Sequence, residues 1–361
     1  MAFESFRAIV PAGGSGTRLW PKSRRSNPKF LHDFTGSGTS LLQGTVDRLA
    51  PIADEVLIVT GDVHAGSVKD QVPECGVITE PSPKNSMPAI ALAAGVLSRR
   101  YPREDLVVGS FAADHLIAKE AAFHSAVRRA VEVARSGEVV TIGITPTHPA
   151  TGFGYIGPGA ALAGGGSPDS ALRVTEFVEK PDAQTAADYV QQGYLWNAGM
   201  YVARASVLLD QLTEFHPELA AGVAQIAAAW DTPKRRDVLT EVWPAIEEIS
   251  IDHAIAEPLA PRGQVAVVPA DLGWSDIGDW DAIAHANGNG RATVIGDDAK
   301  VLALDAPGAV VVPERQVVVV GIEGAVVVET PDAILVTTRE HAQQVKDAVD
   351  ELDARGLQEL L

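Results

Sequence analysis

The chain has 361 residues, a net charge of −18 and a hydrophobic content of 46%. This composition is typical of a folded globular protein, and the acidity argues against a general nucleic-acid binder or a protein of anionic membrane surfaces. No stretch reaches the roughly 18 apolar residues of a membrane span, and the opening MAFESFRAIV lacks the pattern of a signal peptide. With Cys75 as its single cysteine the chain has no internal disulfide, so we expect a cytoplasmic protein with neither nucleic acid nor membrane as partner.

The first 144 residues alternate short β-branched segments with amphipathic helical patterns. Strands are predicted at 7–11, 55–60, 76–80, 105–111 and 138–144, and helices at 41–50, 88–100 and 119–137. Thr39 or Ser40 is expected to cap the first helix. The alternation predicts an α/β fold with a mostly parallel, Rossmann-like sheet between two helical layers. Ligands of such sheets bind at the carboxyl ends of the strands.

The remainder of the chain divides into a mixed region and a β-rich region. The predicted elements are an exposed turn at 161–172, strands at 173–181, 195–203 and 264–270, a helix at 181–193 and further helices within 205–257. Five short β segments then follow one another within 299–338 without intervening helices, which indicates a small, solenoid-like β stack. An amphipathic helix is predicted for 339–361. We therefore divide the chain into domains 1–288 and 289–361.

One basic, glycine-rich segment, VPAGGSGTRLWPKSRRSNPKF at 10–30, stands out in this acidic chain. No Asp or Glu occurs between Ser5 and His32. The segment matches neither a P-loop nor the dinucleotide fingerprint G-x-G-x-x-G, whose third glycine is replaced by Leu19. Its glycines allow a tight turn whose amides can cradle phosphate oxygens, and Arg18 and Lys29 supply positive charge for the same anion. Whether the other basic residues of the segment, Lys22, Arg24 and Arg25, touch a ligand is left open.

The sequence GGSGTRLWP at 13–21, with PK at 28–29, resembles the signature G-G-x-G-T-R-L-x-P of the sugar nucleotidyltransferases. The resemblance implies a glycosyltransferase-A-like nucleotidyltransferase domain with a mixed, mostly parallel sheet, followed by a short β-helix. EPSPKNSMPAIA at 80–91 resembles a second family motif. The nucleotide-binding residues that the resemblance implies are Ala12, Gly13, Gly14, Gly16, Thr17, Glu80 and Asn85.

Two carboxylates lie in motifs where the family places a metal site. Asp114 in AADHLI follows a predicted buried strand, and Asp276 belongs to DLGWSDIGDW, whose Asp279 is expected to cap the next helix. Hard carboxylate oxygens suit Mg²⁺ bridging a triphosphate. Their spacing in sequence does not show that they meet, so the magnesium site rests on the resemblance.

The family's sugar-phosphate motifs follow in order along the chain. The residues they imply are Gly154, Glu179, Lys180 and Asn197, while Asp252 is as consistent with a buried or capping role as with a sugar contact. The sequence WSDIG at 274–278 resembles the mannose-type members of the sugar nucleotidyltransferases. The resemblance therefore implies transfer of GMP from GTP to mannose 1-phosphate. Arg18, Lys29 and Lys180 would then carry the catalysis.

Three alternatives stay open at this point. The chain could use another sugar 1-phosphate, such as glucose 1-phosphate, or another nucleoside triphosphate, or be a non-catalytic sensor of sugar nucleotides. The β-rich region is expected either to form a homodimer contact or to pack on the active-site face.

Overall fold

The computed structural model describes residues 3–162, 170–287 and 290–361. The core of the predicted turn at 161–172 and the proposed domain boundary at 288/289 therefore lie outside the described residues. The strands are β1 Phe6–Ala12, β2 Glu55–Gly61, β3 Gly76–Glu80, β4 Val107–Ser110, β5 Leu116–Ile117, β6 Val139–Ile144, β7 Gly154–Ala161, β8 Leu172–Val178, β9 Leu195–Arg204, β10 Val265–Ala270, β11 Trp274–Ser275, β12 Thr293–Val294, β13 Val301–Leu304, β14 Val310–Val312, β15 Val317–Val320, β16 Ala325–Glu329 and β17 Ile334–Thr338. The α-helices are α1 Leu41–Leu49, α2 Ala65–Gln71, α3 Ser86–Arg100, α4 Glu120–Ala134, α5 Ala183–Gln191, α6 Ala205–Phe215, α7 Pro217–Ala229, α8 Arg235–Val242, α9 Glu257–Leu259, α10 Trp280–Asn287 and α11 Val345–Ala354.

The central sheet of the described chain is mixed, as predicted, with the strand order β3-β2-β1-β4-β9-β6-β10-β8-β7. Strands β1 to β4 run parallel to one another, and β6 runs parallel to β10. Strand β9 lies antiparallel between these two groups. Its first residues therefore reach the edge of the sheet at which the parallel strands end, and this edge carries the candidate site.

Alternate residues of each central strand feed two apolar layers. Ile9 of β1 packs with helices α3, α6 and α7 on one face, whereas Ala8 and Val10 pack with α1 and α4 on the other. Each fully buried aliphatic side chain contributes roughly 1.5–3 kcal/mol of transfer free energy. This two-sided burial explains why the strands read as nearly continuous apolar segments.

The C-terminal strands stack in parallel coils, as the sequence predicted. Val301 pairs with Val317, and Val310 pairs with Val326, so that 16 residues separate neighbouring coils in both places. The stack ends at β17, which runs antiparallel to β16. Among the helices that the structure describes, none is long and apolar enough to pass through a membrane.

A third apolar cluster joins the two parts of the chain. It contains Leu19 and Trp20 from the segment after β1, Trp280 from α10, and Ala342 and Val345 from the C-terminal segment. The indole N–H of Trp280 donates to the carbonyl of Trp20 at 3.2 Å. The C-terminal part of the chain is therefore packed onto the segment that carries the glycine loop.

Several element boundaries differ from the predictions. Ser40, rather than Thr39, caps α1, and its side chain and that of Gln43 form a reciprocal capping box. The single C-terminal helix predicted for 339–361 is wrong: a 3₁₀ helix at Arg339–Gln344 precedes α11, and a left-handed glycine, Gly356, follows it. Strand β7 was not predicted from the sequence because its glycines and Pro158 weaken the β pattern.

Candidate active site

The glycine loop leaves β1 directly and opens toward free space. A methyl group placed on Gly13 or Gly14 would meet no atom within 4 Å. Gly14 and Gly16 adopt positive φ angles of 85° and 57°, which side chains rarely tolerate. A methyl group on Gly16 would lie 2.8 Å from Cβ of Lys29, so this glycine is also required by close packing. The loop thus leaves room for an anion at its first two glycines while its last glycine is locked against Lys29.

Lys29 packs against this loop and contacts both of the residues predicted to bind a metal, through the carboxylate of one and the backbone of the other. Its ammonium group forms an ion pair with Asp114 at 2.7 Å and donates to the backbone carbonyl of Asp276 at 2.7 Å. Lys29 is only 8% exposed. The sequence predicted that Lys29 contacts a phosphate, but in this structure its charge is directed to Asp114.

Asp114 and Asp276, about 160 positions apart in sequence, share one electrostatic environment. Burial is the largest influence on the pKa of Asp114 and acts to raise it, but the charges of Lys29 and His115 and the hydrogen bonds to the carboxylate together outweigh burial, and the pKa lies below its ordinary value. Burial raises the pKa of Asp276; Lys29 opposes this shift, and the negative charge of Asp114 adds to it. Two half-buried carboxylates that repel each other form a site that a cation stabilises.

This donor set fits Mg²⁺. The described residues contain no group of three or more His, Cys, Asp or Glu side chains that could hold a metal ion. Asp114 and Asp276 would therefore supply two hard oxygen ligands and leave the other positions to phosphate oxygens and water, which is how Mg²⁺ is usually held in proteins.

A strained residue fixes the position of Asp276. Ile277 has φ +45°, a conformation that costs a β-branched residue of order 1–3 kcal/mol. Its side chain is buried, and its carbonyl also faces the Lys29 ammonium at 3.4 Å. Sequence analysis missed this residue, because nothing in the letters WSDIG reveals the backbone angle.

The expected base-side residues lie at the end of β3 and at the start of α3. Glu80 is 8% exposed, one of its carboxylate oxygens has no hydrogen-bond partner within the described residues, and burial raises its pKa to about 7. Gly61, at the end of β2, pairs with Glu80 in the parallel ladder. Asn85 has φ +67°, and its side chain accepts from the backbone N–H of Ser86 at the start of α3. Asn85 therefore shapes the turn, whereas Glu80 is left with hydrogen-bonding capacity unused.

Three of the predicted sugar-phosphate residues meet across strands. A methyl group on Gly154 would lie 2.9 Å from a carboxylate oxygen of Glu179 and 3.5 Å from Cβ of Asn197. Lys180 is exposed and contacts the Glu179 carboxylate. Both residues follow the end of β8 rather than belonging to it. Their position outside the ladder leaves the ammonium group accessible to an incoming anion.

Asn197 is engaged with other protein groups. Its amide donates to Asp252 at 2.6 Å, and its oxygen accepts from the backbone N–H of Gly199 at 3.0 Å. The hydroxyl of Tyr201 donates to the same oxygen of Asp252 at 2.7 Å. Asp252, on a π-helical turn at Asp252–Ala256, therefore orients the wall of the site beside Asn197.

Three further basic residues of the glycine-rich segment contact the C-terminal part of the chain. Arg24 forms two hydrogen bonds of 2.6 Å to Asp332 and a third, of 3.2 Å, to the hydroxyl of Thr330. Arg25 pairs with Asp353 at 2.6 Å. Arg18 extends from a 3₁₀ turn at Thr17–Leu19 and donates to the side-chain oxygen of Gln343 at 2.8 Å. Arg24 and Arg25 thus contribute to the contact between the two parts of the chain.

The structure places an open glycine loop and two carboxylate residues at one edge of a mixed α/β sheet. A profile of the nucleotidyl transferase family matches residues 7–292, and a profile of the MannoseP isomerase/GMP-like beta-helix domain matches residues 299–352. The chain belongs to the nucleotidyl transferase family, which confirms the resemblance found in its sequence.

Named relatives span both parts of the chain. Mannose-1-phosphate guanylyltransferase of Escherichia coli is 38% identical, with 99% of this chain and 76% of that protein covered. Mannose-1-phosphate guanylyltransferase ManC of Salmonella typhimurium is 37% identical over 97% of this chain and 74% of its own length. A crystal structure described as mannose-1-phosphate geranyltransferase from Thermus thermophilus superposes with a TM-score of 0.85 at 28% identity, over 97% and 99% of the two chains.

Proposed function

We propose that this protein transfers GMP from GTP to mannose 1-phosphate, forming GDP-mannose and pyrophosphate in the cytoplasm. The observation that carries the proposal is the meeting of Asp114, Asp276 and Lys29 beside an open glycine loop. The relatives named mannose-1-phosphate guanylyltransferase, which match nearly the whole chain, support the choice of substrates. A homodimer remains a prediction.

The chemistry requires positioning more than a general base. The sugar phosphate is already an anionic nucleophile, and the reaction must overcome repulsion between two anions and charge that develops at the α-phosphate. The amides of Gly13 and Gly14 and the guanidinium of Arg18 would bind the triphosphate. Lys180 would orient the attacking phosphate, while Lys29 keeps the carboxylate site electrostatically balanced before substrates bind.

Asp114 and Asp276 would hold Mg²⁺, which when bound supplies positive charge shared by the two phosphates. The close approach of Gly154, Glu179 and Asn197 supports a sugar subsite beside it. The neutral amide of Asn197 and the carboxylate of Glu179 can pair with hydroxyl groups as donor and acceptor.

Glu80 offers a physical reason for the choice of guanine. An ionised carboxylate presents two adjacent acceptors, and the guanine edge presents two adjacent donors, N1–H and N2–H. On the corresponding edge of adenine, cytosine and uracil, no two ring or exocyclic N–H donors lie next to each other. A buried acceptor left without a partner penalises the wrong base, so the unpartnered, buried oxygen of Glu80 supports GTP over the other triphosphates.

The experiment is a matrix of pyrophosphate release with four nucleoside triphosphates and several sugar 1-phosphates, with and without Mg²⁺. We expect release to be fastest with GTP and mannose 1-phosphate and to be lost without the metal. Release in other combinations only would replace the substrate assignment, and no release in any combination would favour a sugar-nucleotide sensor.

A companion experiment measures KM for GTP against pH. Because burial raises the pKa of Glu80 to about 7, its carboxylate becomes protonated as the pH falls below 7 and loses acceptor capacity. We expect KM to rise below pH 7 in the wild type, and to be roughly ten- to hundredfold higher and independent of pH in Glu80→Gln. An unchanged KM in Glu80→Gln contradicts the base contact.

A further inference from the structure

A residue of the C-terminal segment reaches the glycine loop. Gln343 lies on the 3₁₀ helix Arg339–Gln344, 325 positions after Arg18, and its side-chain oxygen accepts from the guanidinium at 2.8 Å. Within the described residues, the Arg18 side chain makes this one hydrogen bond. The direction of the Arg18 guanidinium is therefore set by a residue outside the segment that carries the family signature.

The orientation of the Gln343 amide is itself fixed. Its nitrogen donates to the carboxylate of Asp279, a side chain that is 7% exposed. The other carboxylate oxygen of Asp279 accepts from the backbone N–H of Ala282 at 2.9 Å and caps α10, as predicted. Since a carboxylate accepts only, the amide must turn its N–H₂ toward Asp279 and its oxygen toward Arg18.

The backbones on both sides of this contact are anchored in one apolar cluster. Leu19, next to Arg18, is fully buried there, and so are Ala342 and Val345 on either side of Gln343. The separation of Arg18 and Gln343 is therefore defined by packing and does not depend on two freely moving surface chains.

Because its amide is neutral, Gln343 can orient Arg18 without neutralising the positive charge with which Arg18 would bind a substrate. A carboxylate at position 343 would pair with the Arg18 charge and compete with a triphosphate for it. An amide oxygen aligns the guanidinium but leaves its positive charge uncompensated. Gln343 thus fixes the direction of the Arg18 guanidinium without reducing its positive charge.

We propose that Gln343 is a positioning residue that orients the Arg18 guanidinium for the transferred phosphate, so that the C-terminal segment takes part in catalysis. The inference rests on the proposed function, in which Arg18 binds the triphosphate. Misplacing one catalytic group by about an ångström can cost on the order of a hundredfold in rate.

Gln343→Met keeps the shape of the side chain and removes both hydrogen bonds. We expect kcat to fall about tenfold, with little change in KM for GTP, and the neighbouring exposed Gln344→Ala to match the wild type. In the background of Arg18→Ala, adding Gln343→Met should lower kcat no further, because the glutamine acts through the arginine. Wild-type kcat in Gln343→Met, or an equal tenfold loss in both backgrounds, overturns the proposal.

A binding measurement separates this proposal from the proposed function. Titration with GTP by calorimetry should show a dissociation constant about tenfold weaker for Gln343→Glu and within threefold of wild type for Gln343→Met. Rates are taken with whichever substrate pair the wild type uses fastest. If no pair reacts, the proposed function fails, and equal GTP affinity in Gln343→Glu and wild type would still refute the role of Gln343.

Discussion

The basic segment after β1 contains two kinds of residue that sequence alone does not separate. Lys29 and Arg18 face the glycine loop and the carboxylate site, whereas Arg24 and Arg25 pair with Asp332 and Asp353 of the C-terminal segment. The difference teaches that the positive charge of one segment is divided between the candidate site and the contact between the two parts of the chain, so that basic composition alone does not assign a residue to either.

The most severe test of this comparison is Arg18→Ala. We expect turnover to fall by about two to four orders of magnitude, since the charge on the transferred phosphate loses a fixed donor. The unfolding midpoint should stay unchanged because the side chain is exposed. Steady-state rates of pyrophosphate release measure the effect, with Arg25→Ala as the matched control. Equal activity in the two variants would abolish the distinction drawn between the two kinds of residue.

Lys29→Met should have the next largest effect. It leaves the Asp114 and Asp276 carboxylates close together without a counter-charge, which costs about 1–3 kcal/mol of folding stability. We expect the melting temperature of the metal-free variant to fall and to recover with millimolar Mg²⁺ more than that of the wild type. Calorimetric scans with and without Mg²⁺ provide the measurement, and a variant indifferent to Mg²⁺ would argue against a shared cation site.

Within the loop, Gly16→Ala and Gly13→Ala form a matched pair. Gly16 has a positive φ and would place its methyl group 2.8 Å from Lys29, so we expect a loss of about 1–3 kcal/mol in unfolding free energy. Gly13 has neither restriction, so Gly13→Ala should keep its stability and weaken GTP binding only. Urea unfolding and GTP titration distinguish the two, and a stability loss in Gly13→Ala would contradict the open loop.

The smallest effect is expected for the ion pair between Arg24 and Asp332. Arg24→Ala should lose about 1 kcal/mol of stability, because Asp332 is about half exposed, and should keep turnover within twofold.

The Arg24 guanidinium, hydrogen-bonded to Asp332, lowers the pKa of that carboxyl to about 2. A lowered carboxyl pKa adds stability only while the group is ionised. The stability difference between wild type and Asp332→Asn, followed by urea unfolding, should therefore be complete above pH 4 and shrink toward pH 2; a difference independent of pH would exclude this ion pair as its source.

Local patterns were sufficient for much of the fold. Apolar periodicity predicted the parallel strands, the polar residues before α1 narrowed its cap to two candidates, and short β segments without helices predicted the coiled stack. These features depend on neighbouring residues, which is why one sequence reveals them. The family signature added the site residues, which periodicity alone could not supply.

The features missed depend on residues that are distant in sequence or on backbone angles. The meeting of Asp114 and Asp276 rested on resemblance until the structure brought both to Lys29. The partners of Arg24 and Arg25 lie more than 300 positions away. The residue type at position 277 does not reveal its strained φ angle. A non-glycine residue adopts such an angle only when tertiary packing imposes it.

The apolar cluster shared by both parts of the chain has a consequence for synthesis. The glycine loop is synthesised before the C-terminal segment, but its neighbours Leu19 and Trp20 complete their burial only with residues more than 300 positions later. Closing so long a loop delays these contacts relative to local ones. A nascent chain that already contains the glycine-rich segment therefore still exposes apolar surface beside it. This segment acquires its native surroundings only after the C-terminal segment has been synthesised.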